Sequence, residues 1–198
     1  MGRENNKLVQ SIIYILDTYF LLDSRQQEIK ILAVDSDDKL ISIAQDKLLK
    51  DEQATSSKLD IQFITLDVMD AGNAGAVFEE YLHKFQKDTF DVIFCFSVTM
   101  WIHLNHGDKG LERFFDFVRQ WCQYLVLEPQ PWKCYRTASR RMRRSHEPDF
   151  PYIDSIEHKC DKLLPYLIKQ CEKAGFTKVC TFGETSWKRQ ILLFKAVM

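Results

Sequence analysis

The chain has 198 residues, 45% of them hydrophobic and 13% aromatic, which suits one α/β domain, two small domains being the alternative, and excludes a disordered chain. Its net charge of −1 excludes a molecule that binds polyanions over its whole surface, and no apolar run reaches the roughly 20 residues that span a bilayer. The six cysteines form no CxxC or CxH pair, so no metal site is expected.

The polar start MGRENNK leads into no apolar signal core, and Asn6 stands where myristoylation of Gly2 requires Ser or Thr. The expectation is therefore a cytoplasmic protein, or a nuclear one, with reduced thiols, several of them small core residues. From Asn6 to Phe20, apolar residues at helical spacing predict an amphipathic helix. The run Glu28–Ser36 reads as a buried strand ending in an acid, and the segment DDKLISIAQDKLLKD after it as a helix. Ile61–Asp67 is a second such strand, 74–86 a helix, and Phe90–Val98 a third strand. Gly110–Tyr124 reads as a helix and Tyr124–Glu128 as a fourth strand. Helices are expected over 136–146 and 161–174, the second closed by Gly175. Thr177–Phe182 and Gln190–Ala196, with no helix between them, predict an antiparallel hairpin at one edge. Strands that alternate with helices imply a parallel, doubly wound sheet in a single domain over 1–198.

In open α/β sheets, ligands lie at the carboxyl ends of the strands. Those ends are Asp35-Ser36, Asp67-Val68, Ser97-Val98-Thr99 and Glu128-Pro129-Gln130. A carboxylate there accepts two hydrogen bonds from a ribose diol, which makes Asp35 a candidate ribose ligand; the alternative is an acid that only caps the next helix. Beyond the fourth strand, Lys133, Arg136, Arg140, Arg141, Arg143 and Arg144 place six positive charges within 12 residues. Arg136, Arg140 and Arg143 or Arg144 recur at i, i+4 and i+7 or i+8, one helix face, read either as a nucleic-acid surface or as a solvated face.

Two stretches carry more information: SVTMWIHLNHGDKGL (Ser97–Leu111) and LVLEPQPWKCYR (Leu125–Arg136). With TSWKRQILLFKA near the carboxyl end, they resemble the bicoid-interacting family of S-adenosylmethionine-dependent RNA 5′-phosphate methyltransferases, over about residues 28–196. The resemblance is nearest to the branch that methylates 5′-monophosphates of a histidine tRNA and of microRNA precursors. It implies a class I, Rossmann-like sheet of the seven-strand type. Asp35 and Ser36 would contact the cofactor's ribose, Asp67 and Val68 would flank its adenine, and Phe96 would line its pocket. His103, Asn105, Arg136 and Arg140 are the candidates for the phosphate, with His103 and Asn105 closest to the chemistry. Trp132 and Tyr135 are candidates for stacking on the first bases, with Arg143 continuing the RNA-binding face. Trp101 and Trp132 have the alternative of being core residues, His106 that of a surface residue, and Glu128 that of a loop anchor. The triphosphate-capping branch carries Lys where this chain has Met100, which points to a monophosphate.

The family's first strand and its D-x-G-x-x-x-G loop have no counterpart among the seven glycines. The chain is thus expected to lack that strand, which the family places between the strands ending at Asp35 and Phe96. Two readings follow: a monomeric methyltransferase of small RNA with a 5′-monophosphate, using S-adenosylmethionine and no metal or membrane, or a relic that binds RNA ends without methylating them. A methyltransferase of proteins or small molecules is disfavoured by the arginines beside EPQPW.

Overall fold

The computed structural model describes residues 28–50, 59–185 and 187–197. The helix expected over 6–20 lies outside the described residues. The chain divides into two compact units, Met1–Asp67 and Val68–Met198.

In the first unit, β1 (Ile29–Asp35) leads through α1 (Asp38–Leu49) to β2 (Leu59–Thr65). The strands are parallel, in register from Ile29 opposite Leu59 to Asp35 opposite Thr65. The Asp37 carboxylate caps α1 by accepting from the amides of Lys39 and Leu40. β2 therefore ends at Thr65, short of the expected Asp67, which falls in the following loop.

The second unit opens with α2 (Ala71–His83), capped by Asp70, whose carboxylate accepts from the Asn73 amide. Next come β3 (Phe90–Phe96), α3 (Thr99–Trp121), β4 (Cys122–Glu128) and α4 (Trp132–Arg144). A 3₁₀ turn at Cys160–Lys162 leads into α5 (Leu163–Lys173), then β5 (Phe176–Glu184) and β6 (Gln190–Ala196). The strand order is β3-β4-β6-β5. β3 and β4 are parallel, and β6 is antiparallel to both β4 and β5. The expected edge hairpin is present, with β6 inside and β5 at the edge. Gly175, at φ +92°, turns the chain between α5 and β5.

Among the described residues the strands fall in two sheets, and no described strand pairs with both β1 and β3. In the second unit Leu125, Val126 and Leu127 of β4 are all fully buried, as a strand packed on both faces requires. Phe115 and Leu111 of α3, Leu167 of α5 and Leu192 and Phe194 of β6 are likewise fully buried in the core.

Three helices begin earlier than their sequence suggests, α2 at Ala71 rather than 74 and two others by more. α3 starts at Thr99 rather than Gly110, and its first part holds the whole WIHLN word. Gly107 interrupts it with φ 67° and ψ −170°, so two helical pieces meet at a kink. A β-carbon at Gly107 would sit 2.8 Å from Tyr152 Cδ1, and one at Gly110 would collide with His106. The Tyr152 amide donates to the Leu104 carbonyl at 3.3 Å, so the 148–156 loop packs over this kink. α4 starts at Trp132 rather than 136, with Pro131 as its cap. Proline suits that place because its ring fixes φ and it has no N–H to leave unpaired.

Candidate cofactor and RNA-end site

The first unit brings its acids to one end of a strand pair. The Leu66 amide donates to the Asp35 carbonyl at 2.8 Å, which carries the chain past the end of β1 directly into Asp67. The Asp35 side chain is exposed, and its Oδ1 accepts from the Asp37 amide at 2.9 Å. That bond orients the carboxylate, and Oδ2 takes no bond from a described residue. A carboxylate held this way fits the diol of a ribose. The same-end placement of Asp35, Ser36 and Asp67 fits the nucleoside part of S-adenosylmethionine; Val68 follows at once, at the start of the second unit. Phe96, half-buried, ends β3 within the second unit.

The second unit's strand ends are bound together by a cluster that sequence reading missed in part. Ser97 follows β3 with φ +59°, a left-handed backbone that a side chain rarely adopts. Its amide donates to the Glu128 carbonyl at 3.3 Å, and its hydroxyl donates to Glu128 Oε2 at 2.9 Å. Arg189 closes the cluster. Its Nη1 donates to Ser97 Oγ at 2.7 Å and to Glu128 Oε1 at 3.4 Å, and its Nη2 approaches Cys134 Sγ at 3.8 Å. Both partners are inside: the side chains of Arg189 and Glu128 are 17% and 5% exposed. Glu128 is thus the loop anchor, and Arg189 ties the β5–β6 turn to the ends of β3 and β4. The signal for Arg189 was the charged Lys188-Arg189 step directly before an apolar strand.

His103 is fully buried and makes two hydrogen bonds. Its Nε2 lies 2.6 Å from Asp108 Oδ1 and its Nδ1 3.2 Å from the Tyr135 hydroxyl. Burial pushes its pKa below the ordinary 6.5, against the upward pull of Asp108. The imidazole is then neutral at pH 7, its Nε2–H donating to Asp108 and its Nδ1 accepting from Tyr135. Tyr135 is also fully buried, and burial raises its hydroxyl pKa, so it stays protonated and able to donate. Aromatic rings surround the pair. Tyr166 stacks on His103 at 5.9 Å and on His158 at 4.3 Å, and Trp132 stacks on Tyr135 at 5.0 Å.

These positions correct the reading of two residues. His103 cannot touch a phosphate and Tyr135 cannot stack on a base, because neither reaches the surface. Their side chains instead join α3 to α4, and WIHLNHGD turns out to supply a buried hydrogen-bond network at a helix kink. Asn105 is exposed, with its Nδ2 donating to the Trp101 carbonyl at 2.9 Å. Met100 is buried, 4% exposed. Trp101 is 44% exposed, against the 148–156 loop through Phe150, and His106 is half-buried.

The arginine face is present as expected. α4 buries Tyr135, Ala138 and Ser139 and exposes Arg136, Arg140, Arg141, Arg143 and Arg144. Ser139 donates to Asp149 at 2.6 Å and Arg143 lies 3.7 Å from the same carboxylate, which fixes the loop after the helix. Asp149 is held below the ordinary carboxylate range, chiefly by the Ser139 hydrogen bond. Trp132 is half-buried at the start of this helix, with Lys159 5.6 Å from its ring centre.

An α/β fold with acids at its strand ends and a basic helix defines a class before a family. The fold is similar to that of magnesium protoporphyrin IX methyltransferase from Synechocystis PCC 6803, with a TM-score of 0.55 over 97% of this chain and 83% of that one, at 14% identity. The protein therefore has the Rossmann-like methyltransferase fold. Within that class, the Bicoid-interacting protein 3 (Bin3) family matches residues 90–196, and the chain belongs to this family. It is 39% identical over 170 residues to the RNA 5′-monophosphate methyltransferase of Rattus norvegicus, covering 86% of this chain and 57% of that protein. It is 43% identical over 136 residues to the pre-miRNA 5′-monophosphate methyltransferase of Xenopus laevis, covering 68% of this chain and 53% of that protein. The chain thus spans little more than half the length of these relatives.

Proposed function

We propose that the protein methylates the 5′-monophosphate of small RNA, a tRNA or a microRNA precursor, with S-adenosylmethionine as donor. The observation that carries this reading is its relation to proteins named for that reaction, joined to the exposed arginine face directly after the EPQPW turn. By the family resemblance, Asp35 and Ser36 would hold the cofactor's ribose and Asp67 its adenine. The bound cofactor supplies a methyl group on a sulfonium sulfur. A 5′-monophosphate, with a second pKa of about 6, already offers an anionic oxygen at pH 7, so the chain needs no strong base. What its residues must do is hold that oxygen in line, a positioning effect that can reach about 7–11 kcal/mol.

Arg136, Arg140 and Arg143 suit the RNA backbone, because a guanidinium gives two parallel hydrogen bonds to one phosphate. Trp132, half-buried, keeps some ring surface for a base. The Ser97–Glu128–Arg189 cluster ties the ends of β3 and β4 together, with Arg189 Nη2 3.8 Å from Cys134 Sγ of the same helix, α4.

The second reading is binding of RNA ends without methylation. Calorimetric titration with S-adenosylmethionine separates the two. Micromolar binding that Asp35→Ala weakens at least about tenfold, the loss of one charged hydrogen-bond pair, supports the enzyme. Undetectable cofactor binding, with RNA binding that still needs the 5′ phosphate, supports the second reading.

A further inference from the structure

We propose that a cleft beside the EPQP turn holds the 5′-terminal nucleobase of the RNA and prefers bases with an exocyclic amine to uracil. This rests on the RNA 5′-end reading above and says what the first base meets.

The cleft encloses about 240 Å³ between Pro129–Pro131, the start of α5 and the β5–β6 turn. Sites that enclose whole small molecules run to roughly 300–1,000 Å³. This one therefore suits a ring system, with sugar and phosphate left outside. Pro129, Pro131, Leu164 and Leu167 give it apolar walls against which a flat ring can pack.

Gln130 belongs to the same wall. It is 4% exposed, and its Oε1 has no hydrogen-bond partner among the described residues. Folded proteins leave few buried polar atoms unpaired, because such an atom has lost its water without gaining a partner. Turned into the cleft, this oxygen would accept from a ligand N–H. Around the rim, Asp161 and Glu184 are further acceptors. The Arg189 guanidinium, also in the lining, is already engaged by Glu128 and Ser97. Lys188 is the remaining cation of the lining.

A cleft richer in acceptors than in uncommitted donors selects a ligand edge that donates. Adenine, cytosine and guanine each carry an amine of that kind. Uracil offers one N–H set between two carbonyl oxygens, which would meet Gln130 Oε1 and the rim carboxylates acceptor to acceptor. The cleft also adjoins the start of α4. Pro131 is both its wall and the helix cap, no side chain caps this end, and the N–H groups of the first turn favour a phosphate nearby.

The test uses four 5′-monophosphorylated RNA hairpins, identical except for the first nucleotide, titrated against the chain by fluorescence anisotropy. The A-, C- and G-initiated RNAs should bind at least about tenfold more tightly than the U-initiated one, the worth of one well-made hydrogen bond. Gln130→Met removes the acceptor at similar length and should cut that difference below about threefold. Leu164→Trp fills the cleft from α5 and should erase the preference while leaving binding to the arginine face. Four equal affinities in the unaltered chain would overturn the proposal. So would a preference that survives Leu164→Trp, which decides the matter even where Gln130→Met unfolds. Dephosphorylated hairpins separate the two readings. A phosphate requirement without base preference defeats the cleft alone, whereas a base preference without phosphate requirement defeats the 5′-phosphate reading and keeps the cleft.

Discussion

Replacing Glu128 with leucine tests how the strand ends are held. Its carboxylate, 5% exposed, faces Arg189 at 3.4 Å and accepts the Ser97 hydroxyl at 2.9 Å. Removing one partner of a buried ion pair typically costs about 3–5 kcal/mol, because the other charge stays behind without compensation. Here Arg189 keeps Ser97 Oγ at 2.7 Å, so the expected loss is at the low end, about 3 kcal/mol. The double variant Glu128→Leu/Arg189→Met removes both charges and should recover most of that loss, since a buried pair exchanged for apolar groups is often neutral. Urea unfolding followed by tryptophan fluorescence reads this directly. All four tryptophans (Trp101, Trp121, Trp132 and Trp187) lie in the second unit, where the pair is. A Glu128→Leu loss below about 1 kcal/mol, the value of an exposed pair, or a double variant no better than the single one, would refute the reasoning.

Three other outcomes follow from the same geometry. Burial holds His103 below its ordinary 6.5, so the unfolded chain takes up a proton before the folded one does. Stability should then be full above that value and fall as the pH drops from it toward the lowered folded pKa. Urea midpoints from about pH 7.5 to 5 should show the fall, and His103→Gln should flatten it. Gly107→Ala should destabilise the second unit by about 2 kcal/mol or more, from a backbone region open almost only to glycine plus the contact with Tyr152, measured by the same unfolding curves. Arg136→Ala should leave unfolding unchanged and weaken RNA binding, making the slope of log affinity against log salt shallower by about 0.7 on single-stranded RNA; an unchanged slope would remove Arg136 from the interface.

The sequence showed the sheet better than it showed the site. β1, β3, β4, β5 and β6 are short apolar runs bounded by acids, glycine or charged turns, and period and length suffice to find them. The acids Asp35 and Asp67 were chosen because a strand end is where an open sheet receives a ligand; Asp35 ends β1, whereas Asp67 lies in the loop after β2. α3 was harder, because Gly107 and Gly110 interrupt its pattern and look like loop. Only a contact distant in sequence, the Tyr152 loop over the kink, explains why two helical pieces meet there. His103 and Tyr135 were misread because residue type and local density suggest chemistry, whereas their burial comes from α3, α4 and α5 packing together. Arg189 was overlooked because its partners, Ser97 and Glu128, are brought to it by strand order alone.

The most direct test of the proposed function is methyl transfer from labelled S-adenosylmethionine to two otherwise identical small RNAs, one with a 5′-monophosphate and one with a 5′-hydroxyl. The label should appear on the terminal phosphate of the first RNA and not on the second. Equal labelling of both, or labelling of internal positions, would contradict the assignment of the 5′-phosphate as acceptor.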